Sequence, residues 1–213
     1  MPPLIIFDLD GTLIDSRNVM EESFREAFIA VVGGNGEPPL DDFYDLLGDS
    51  FPNILRRLGL PQQMAPVFKA AAQRRIADID AVPEALDACK ELHRRGITLA
   101  ILTGKDRERT HEILTYFSID RIFGAVAAGS DGFTPKPAPD GVLLLCGTLG
   151  YDPSDSVVVG DSAFDIQSGR SAGARTVACT WGMGRVEELK AAEPDGFLQH
   201  PSELLPYLLE AIA

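Results

Sequence analysis

Two aspartates set two residues apart, Asp8 and Asp10, stand where an apolar run gives way to Gly11-Thr12. The run itself, Leu4–Phe7, is unbroken and rich in β-formers, the pattern of a strand buried on both faces of a parallel sheet. Gly11 marks the place where the chain turns out of that strand. The two carboxylates are therefore expected at the carboxyl end of a buried strand, the edge at which open α/β sheets take their ligands. Residues two apart on a strand point the same way, so both are expected to face one pocket. Two anions that close need a cation or a shared proton. The pair reads as a metal or acid–base site.

Other polar groups follow apolar runs in the same manner. Thr103-Gly104-Lys105 closes the run Ile97–Leu102, Lys136 lies between Pro135 and Pro137, and Asp161 and Asp165 follow Ser156–Val159. Parallel strands share one carboxyl edge, so these distant residues are expected to converge with Asp8 and Asp10. Together they suit phosphoryl chemistry. A carboxylate can attack phosphorus, and hard oxygen ligands suit Mg²⁺. A hydroxyl, a backbone N–H and an ammonium can hold phosphoryl oxygens, while a second carboxylate moves a proton to the leaving group and from water.

The elements that must position them alternate in kind. Strands are expected at Leu4–Phe7, Ile97–Leu102, Gly124–Ala128, Ser156–Val159 and Thr176–Cys179. Between them the spacing predicts helices over Glu84–Arg95, Asp106–Phe117, Pro139–Leu149, Ser162–Ala172 and Arg185–Ala192, with a closing helix over Ser202–Ala213. Such alternation implies a parallel sheet with helices on both faces. Residues 16–81 depart from it. Apolar residues recur at helical spacing over Ser16–Val32, Leu40–Leu47, Phe51–Leu58 and Gln62–Ile79, with no strand pattern among them. Ser16 is the expected N-cap of the first of these helices and Gly33-Gly34 its stop. A helical subdomain inserted after the first strand is the expected organisation: residues 1–15 and 82–213 form the α/β core and 16–81 the helical part. Ser16-Arg17 and Ala81-Val82 are its expected hinges.

Composition narrows the partners. The 213 residues are 45% hydrophobic and 24% charged, with a formal net charge of −13, an ordinary globular balance that argues against nucleic acid, which demands a basic footprint. No run approaches the roughly 18–20 apolar residues of a membrane span, and the start lacks the basic and apolar regions of a signal peptide. Cytoplasmic residence is expected, as a monomer or homodimer. Cys89, Cys146 and Cys179 lack metal-type spacing and sit among apolar neighbours, so they read as small buried hydrophobes.

Phe7-Asp8-Leu9-Asp10-Gly11-Thr12-Leu13, Thr103, Lys136 and Gly160-Asp161-Ser162-Ala163-Phe164-Asp165 resemble the four motifs of the haloacid dehalogenase superfamily, and residues 16–81 resemble that family's helical cap of the first type. The resemblance covers nearly the whole chain. It implies a Rossmann-like α/β core, Mg²⁺ as cofactor, and a phosphatase acting on a small soluble phosphate monoester. By the same resemblance Asp8 is the nucleophile that forms an aspartyl-phosphate and Asp10 the general acid/base. Asp8, the Asp10 carbonyl and Asp161 would hold Mg²⁺. Asp165 would support its waters and orient Lys136, and Thr103, Gly104 and Lys136 would bind the phosphate. Many relatives have Asn after the second-motif Ser/Thr, where this chain has Gly104; Lys105 adds a positive charge there.

Within the superfamily the chain looks most like the phosphoglycolate phosphatase branch. Its Thr-Gly-Lys motif is also similar to that of phosphatases associated with 3-amino-5-hydroxybenzoate synthesis. A haloacid dehalogenase would have no use for Asp10; a sugar phosphomutase would use it, and a non-catalytic phosphate-binding module would not need the full set of motif carboxylates. Substrate specificity is expected from the cap, with Arg17, Gly48, Ser50 and Lys105 as candidates and Gly48-Asp49-Ser50-Phe51 as the turn that dips into the core. Trp181 is expected to pack at the end of the sheet, and Asp15 to cap the first helix or shape the hinge. Arg56, Arg57, Lys69, Arg74 and Arg75 read as solvated helix faces, from which one could reach a second anionic group of a substrate.

Overall fold

The computed structural model describes residues 3–33 and 36–211; Gly34, placed in the expected helix stop, and Ala213, the expected end of the last helix, lie outside them. Strand β1 (Leu4–Phe7) leads to β2 (Ile14–Asp15). Four helices come next: α1 (Arg17–Val31), α2 (Leu40–Tyr44), α3 (Phe51–Arg57) and α4 (Met64–Arg74). After a 3-10 turn at Ile76–Asp78 come β3 (Asp80–Ala81), α5 (Pro83–Arg94), β4 (Thr98–Thr103), α6 (Arg107–Tyr116), β5 (Phe123–Ala128) and α7 (Asp140–Leu149). The chain closes with β6 (Ser156–Gly160), α8 (Ala163–Ala172), β7 (Arg175–Cys179), α9 (Val186–Ala191), β8 (Gly196–Leu198) and α10 (Leu204–Ala211). Among the described residues no helix is long and apolar enough to cross a membrane.

Six strands form one parallel sheet in the order β5-β4-β1-β6-β7-β8. Every residue of β1 is buried, because both of its faces are covered. Ile5 and Phe7 pack with Leu99, Ile101, Val157 and Val159 beneath α5, α6 and α10, where Leu92, Ile113 and Leu208 complete the layer. Leu4 and Ile6 face the other way and join Ala100, Leu102 and Val158 beneath α7, through Val142, Leu145 and Cys146. The chain winds from β1 to one side through β4 and β5, then returns to β6 on the other side. That reversal puts the ligand-binding crevice beside β1. Register fixes the relative heights of the strand ends: Phe7 pairs with Ile101 and with Val159. Asp8 therefore sits level with Leu102 and Gly160, one step below Thr103 and Asp161.

The helical segment has its own apolar interior. Phe24 stacks on Phe43 at 4.3 Å and Phe51 on Phe68 at 3.9 Å, within a cluster that includes Met20, Ile54, Leu55 and Met64. Here the structure differs from the sequence expectations in several places. The segment is bounded by a two-stranded antiparallel ladder, Ile14 with Ala81 and Asp15 with Asp80. Two-residue strands carry no periodicity, so none was legible. The helix expected over Gln62–Ile79 is α4 followed by the 3-10 turn, and the one expected over Leu40–Leu47 ends at Tyr44. A sixth strand of the main sheet, β8, was also not expected. It has three residues and begins with glycine, and pairing with β7 rather than local propensity makes it a strand. The three cysteines are free and buried, as their apolar neighbours suggested.

Candidate active site

The site is built at the carboxyl edge of the sheet. The Asp8 amide still donates to the Val159 carbonyl at 2.9 Å, carrying the β1–β6 ladder one residue beyond the strand. The chain then turns sharply, with the Gly11 amide bonded to the Ile14 carbonyl at 2.7 Å and Gly11 at φ 88°. A β-carbon at Gly11 would stand 2.1 Å from Asp161 Oδ2, so glycine is required both by the backbone conformation and by the neighbouring carboxylate. Asp8 and Asp10 do line one cavity, but because of this turn rather than strand alternation: β1 ends at Phe7, before either aspartate.

Lys136 reaches over from the loop after β5. Its Nζ donates to Asp8 Oδ1 at 2.8 Å and to Asp165 Oδ1 at 2.5 Å, with its side chain only 2% exposed. Asp165 is held by a capping box at the start of α8. Its Oδ2 accepts from the Ser162 amide at 3.0 Å and from the Ser162 hydroxyl at 2.6 Å, while its own amide donates back to Ser162 Oγ. The helix-capping role of Asp165 and its contact with Lys136 thus coexist, one on each carboxylate oxygen. Asp161 is fixed by the Thr12 hydroxyl at 3.0 Å and the Met183 amide at 2.8 Å. Thr12, Ser162 and Met183 were missed as site residues. Ser162-x-x-Asp165 had a readable capping pattern, whereas Met183 acts through its backbone and left no signal.

Carboxylate oxygens of Asp8, Asp161 and Asp165 all lie within 4.8 Å of one another, and all three residues are buried. Burial, followed by repulsion from Asp165, pushes Asp161 up to about 7. Burial also holds Asp8 well above the usual carboxylate range, with Asp165 and Asp161 adding to the effect and Lys136 opposing it. Burial alone would lower the Lys136 ammonium, but the Asp165 and Asp8 carboxylates outweigh it and raise it. Three carboxylates against one ammonium leave an excess of buried negative charge. The all-oxygen donor set fits a hard divalent cation such as Mg²⁺, which binds one or two carboxylates and keeps several waters. Asp8, Asp161 and Asp165 are the residues whose oxygens could hold it or its waters, each carboxylate oxygen keeping a lone pair beyond the hydrogen bond it accepts.

Asp10 lies higher, at the mouth. Lys105 Nζ is 3.1 Å from its Oδ2, and the Ser16 hydroxyl donates to its Oδ1. Ser16 makes no side-chain capping bond to α1, contrary to the sequence reading, because its hydroxyl is committed to Asp10. The first-turn amide of Arg17 bonds instead to Asp15 at 3.0 Å. Arg17 itself, named as a specificity candidate, does not line the cavity; its guanidinium donates to the Gly182 carbonyl at 3.2 Å. Trp181 packs against the main core and donates from Nε1 to the Thr12 carbonyl at 3.1 Å.

Over these groups lies a cavity of about 460 Å³, walled below by Asp8, Asp10, Thr103, Gly104 and Lys105 and above by the helical segment, including Gly48, Ser50 and Phe51. The segment is tied down on two sides. Lys69 of α4 pairs with Asp106 and Glu108, Gln73 bonds Glu112, and the buried Arg109 donates to the Ala72 carbonyl at 2.6 Å. On the other side Asp45 meets Arg185 at 2.5 Å. Exposed pairs of this kind each contribute about 0–1 kcal/mol, so they guide the segment without locking it.

Residues 5–179 match the family model for haloacid dehalogenase-like hydrolases. The chain belongs to the haloacid dehalogenase-like hydrolase family. It is 30% identical over 207 residues to pyrophosphatase PpaX of Bacillus velezensis, covering 94% of each chain. It is 31% identical to a phosphoglycolate phosphatase of Synechococcus elongatus, again over 94% of each. The fold matches the crystal structure of a hydrolase from Pseudomonas syringae with a TM-score of 0.88 over the full length of both chains, at 23% identity.

Proposed function

We propose that this chain is a cytoplasmic, Mg²⁺-dependent phosphatase that hydrolyses a small soluble phosphate monoester through an aspartyl-phosphate, with the helical segment as its cap. One observation carries the reading: the buried carboxylates of Asp8, Asp161 and Asp165 gathered around Lys136. Its phosphatase class is supported by the names of the Bacillus and Synechococcus relatives.

In this reading the Thr103 hydroxyl, the Gly104 amide and the Lys136 ammonium hold the phosphoryl oxygens and place phosphorus against Asp8. An Asp8 oxygen attacks phosphorus as the bond to the leaving oxygen breaks, and Asp10 gives that oxygen its proton. Asp10 then takes a proton from water, whose oxygen attacks the aspartyl-phosphate; inorganic phosphate leaves and Asp8 is regenerated. Mg²⁺ held by Asp8, the Asp10 carbonyl and Asp161 would neutralise charge on the transferring group. Asp165 keeps Lys136 aimed at Asp8. The cap excludes bulk water while the ester is bound.

Phosphate release from a panel of phosphorylated metabolites, with added Mg²⁺ and with chelator, tests this. Mg²⁺-dependent release is expected, together with a phosphoenzyme trapped on Asp8. Conversion of a sugar 1-phosphate to the 6-phosphate without phosphate release would instead show a mutase.

A further inference from the structure

The cavity has two unlike ends. The lower one, at the sheet edge, holds the groups already described. The upper one, inside the helical segment, is walled by Phe51 and Phe68, a stacked and only partly buried pair, with the buried Met20, Phe43 and Ile54 behind them. Asp41, Asp45 and Asp49 also reach this wall. The cations on the cavity wall are already matched. Lys69 lies 3.1 Å from Asp106 and 2.6 Å from Glu108, Lys105 lies 3.1 Å from Asp10, and Arg185 lies 2.5 Å from Asp45. Arg109 lies 3.1 Å from Glu112 through Nη1 and gives Nη2 to the Ala72 carbonyl, while its Nε is buried and makes no hydrogen bond.

The remaining basic residues of the segment do not line the cavity. Arg57 faces Asp49 at 3.8 Å, Arg25 pairs with Glu21, Arg74 and Arg75 both pair with Glu26, Arg56 donates to Asn53, and Arg17 donates to the Gly182 carbonyl. A carboxylate or second phosphate entering with the substrate would meet aspartates, and at the cavity wall would gain a cation only by competing with a carboxylate already paired to it. A ring presenting an apolar face would find aromatic area of matching kind, and an amine would find carboxylates.

We infer that the substrate is the phosphate monoester of a ring-bearing alcohol without a second acid group, its ring against Phe51 and Phe68 and any charged substituent an amine facing the cap aspartates. The inference rests on the phosphatase reading and narrows it. It also separates this chain from its two named relatives, since pyrophosphate and phosphoglycolate each carry a second anionic group.

The test is phosphate release by the full chain with Mg²⁺ from phenyl phosphate, glucose 6-phosphate, glucosamine 6-phosphate, phosphoglycolate and pyrophosphate. Each ring ester is expected to exceed both acidic substrates in kcat/KM by at least tenfold, with glucosamine 6-phosphate at or above glucose 6-phosphate. Turnover of phosphoglycolate or pyrophosphate equal to that of the ring esters overturns the inference and leaves the phosphatase reading standing. Release from none of the five overturns that reading and the inference with it. In Asp41→Lys the ratio of phosphoglycolate to phenyl phosphate turnover is expected to rise at least fivefold; an unchanged ratio counts against an acidic upper wall.

Discussion

The carbonyl oxygen of Asp49 lies 2.6 Å from the point a β-carbon on Gly104 would occupy, and that of Gly48 lies 2.8 Å from it. The turn at the bottom of the helical segment thus rests backbone to backbone on the loop that closes β4. The contact gives a physical reason for glycine at 104: any side chain there pushes the turn of the helical segment away. Gly104→Asn is expected to lower kcat/KM at least tenfold, chiefly through KM. The melting temperature should move by less than about 4 °C, the equivalent of about 1 kcal/mol for a domain of this size. Unchanged kinetics would show that catalysis does not need this closed arrangement.

Asp8→Asn separates chemistry from folding. Burial already penalises the ionised Asp8 carboxylate, so a neutral amide of the same shape removes a repulsive charge while Lys136 keeps Asp165. Turnover should fall at least a thousandfold with thermal stability in chelator equal to or above that of the parent. Near-normal turnover would remove Asp8 as the nucleophile.

The raised Asp161 makes the metal-free protein sensitive to pH. Its folded-state value of about 7 against an ordinary 3.8 means that the folded form binds the proton more tightly. The stability this contributes is fully present below pH ~4 and is lost as pH rises through ~7. In chelator, the stability of the parent relative to Asp161→Asn should therefore fall across that window. Mg²⁺ at a hundred times its Kd should offset part of the fall, adding about 2.7 kcal/mol. A pH-independent difference between the two proteins in chelator would refute the assignment of this proton to Asp161.

Removing Lys136 leaves buried anions without their counter-charge. Lys136→Met should destabilise the metal-free protein at pH 7 by about 3–5 kcal/mol, the usual cost of breaking a buried pair from one side. Lowering the pH or adding Mg²⁺ should recover part of it. Denaturant unfolding with and without Mg²⁺ measures both effects. A variant as stable as the parent under every condition would show that the carboxylates are not charged in the folded state.

Strand identity and site composition were legible where local pattern and burial agree. Leu4–Phe7 reads as a doubly buried strand and is one, and the polar residues beyond it and beyond the other apolar runs do meet at a single edge, because parallel strands end on the same side. The three cysteines were readable for the same reason, their neighbours being apolar, and Trp181 from its place just beyond an apolar run. Ser16 was not. Its position predicts a helix cap, but a serine hydroxyl takes whichever acceptor the tertiary fold brings nearest, and here that is Asp10. The ladder of Ile14–Asp15 with Asp80–Ala81 and the strand Gly196–Leu198 escaped detection because segments of two or three residues have no period; their pairing partners lie far along the chain or in a neighbouring strand.

What the chain determines by itself is an inventory: which carboxylates, hydroxyls and ammonium groups stand at the ends of apolar runs, and hence the kind of reaction they could share. Only the tertiary structure decided how they divide the work. It set Asp165 on Lys136 and Ser162, gave Asp161 to Thr12 and the Met183 amide, and left Asp10 at the mouth with Lys105. It also matched each basic residue of the cap with a partner. Spacing along a chain fixes which face a side chain leaves from, whereas charge balance and cavity shape arise from groups that meet across tens of residues, as Lys136 and Asp165 do, or more than a hundred, as Lys136 and Asp8 do.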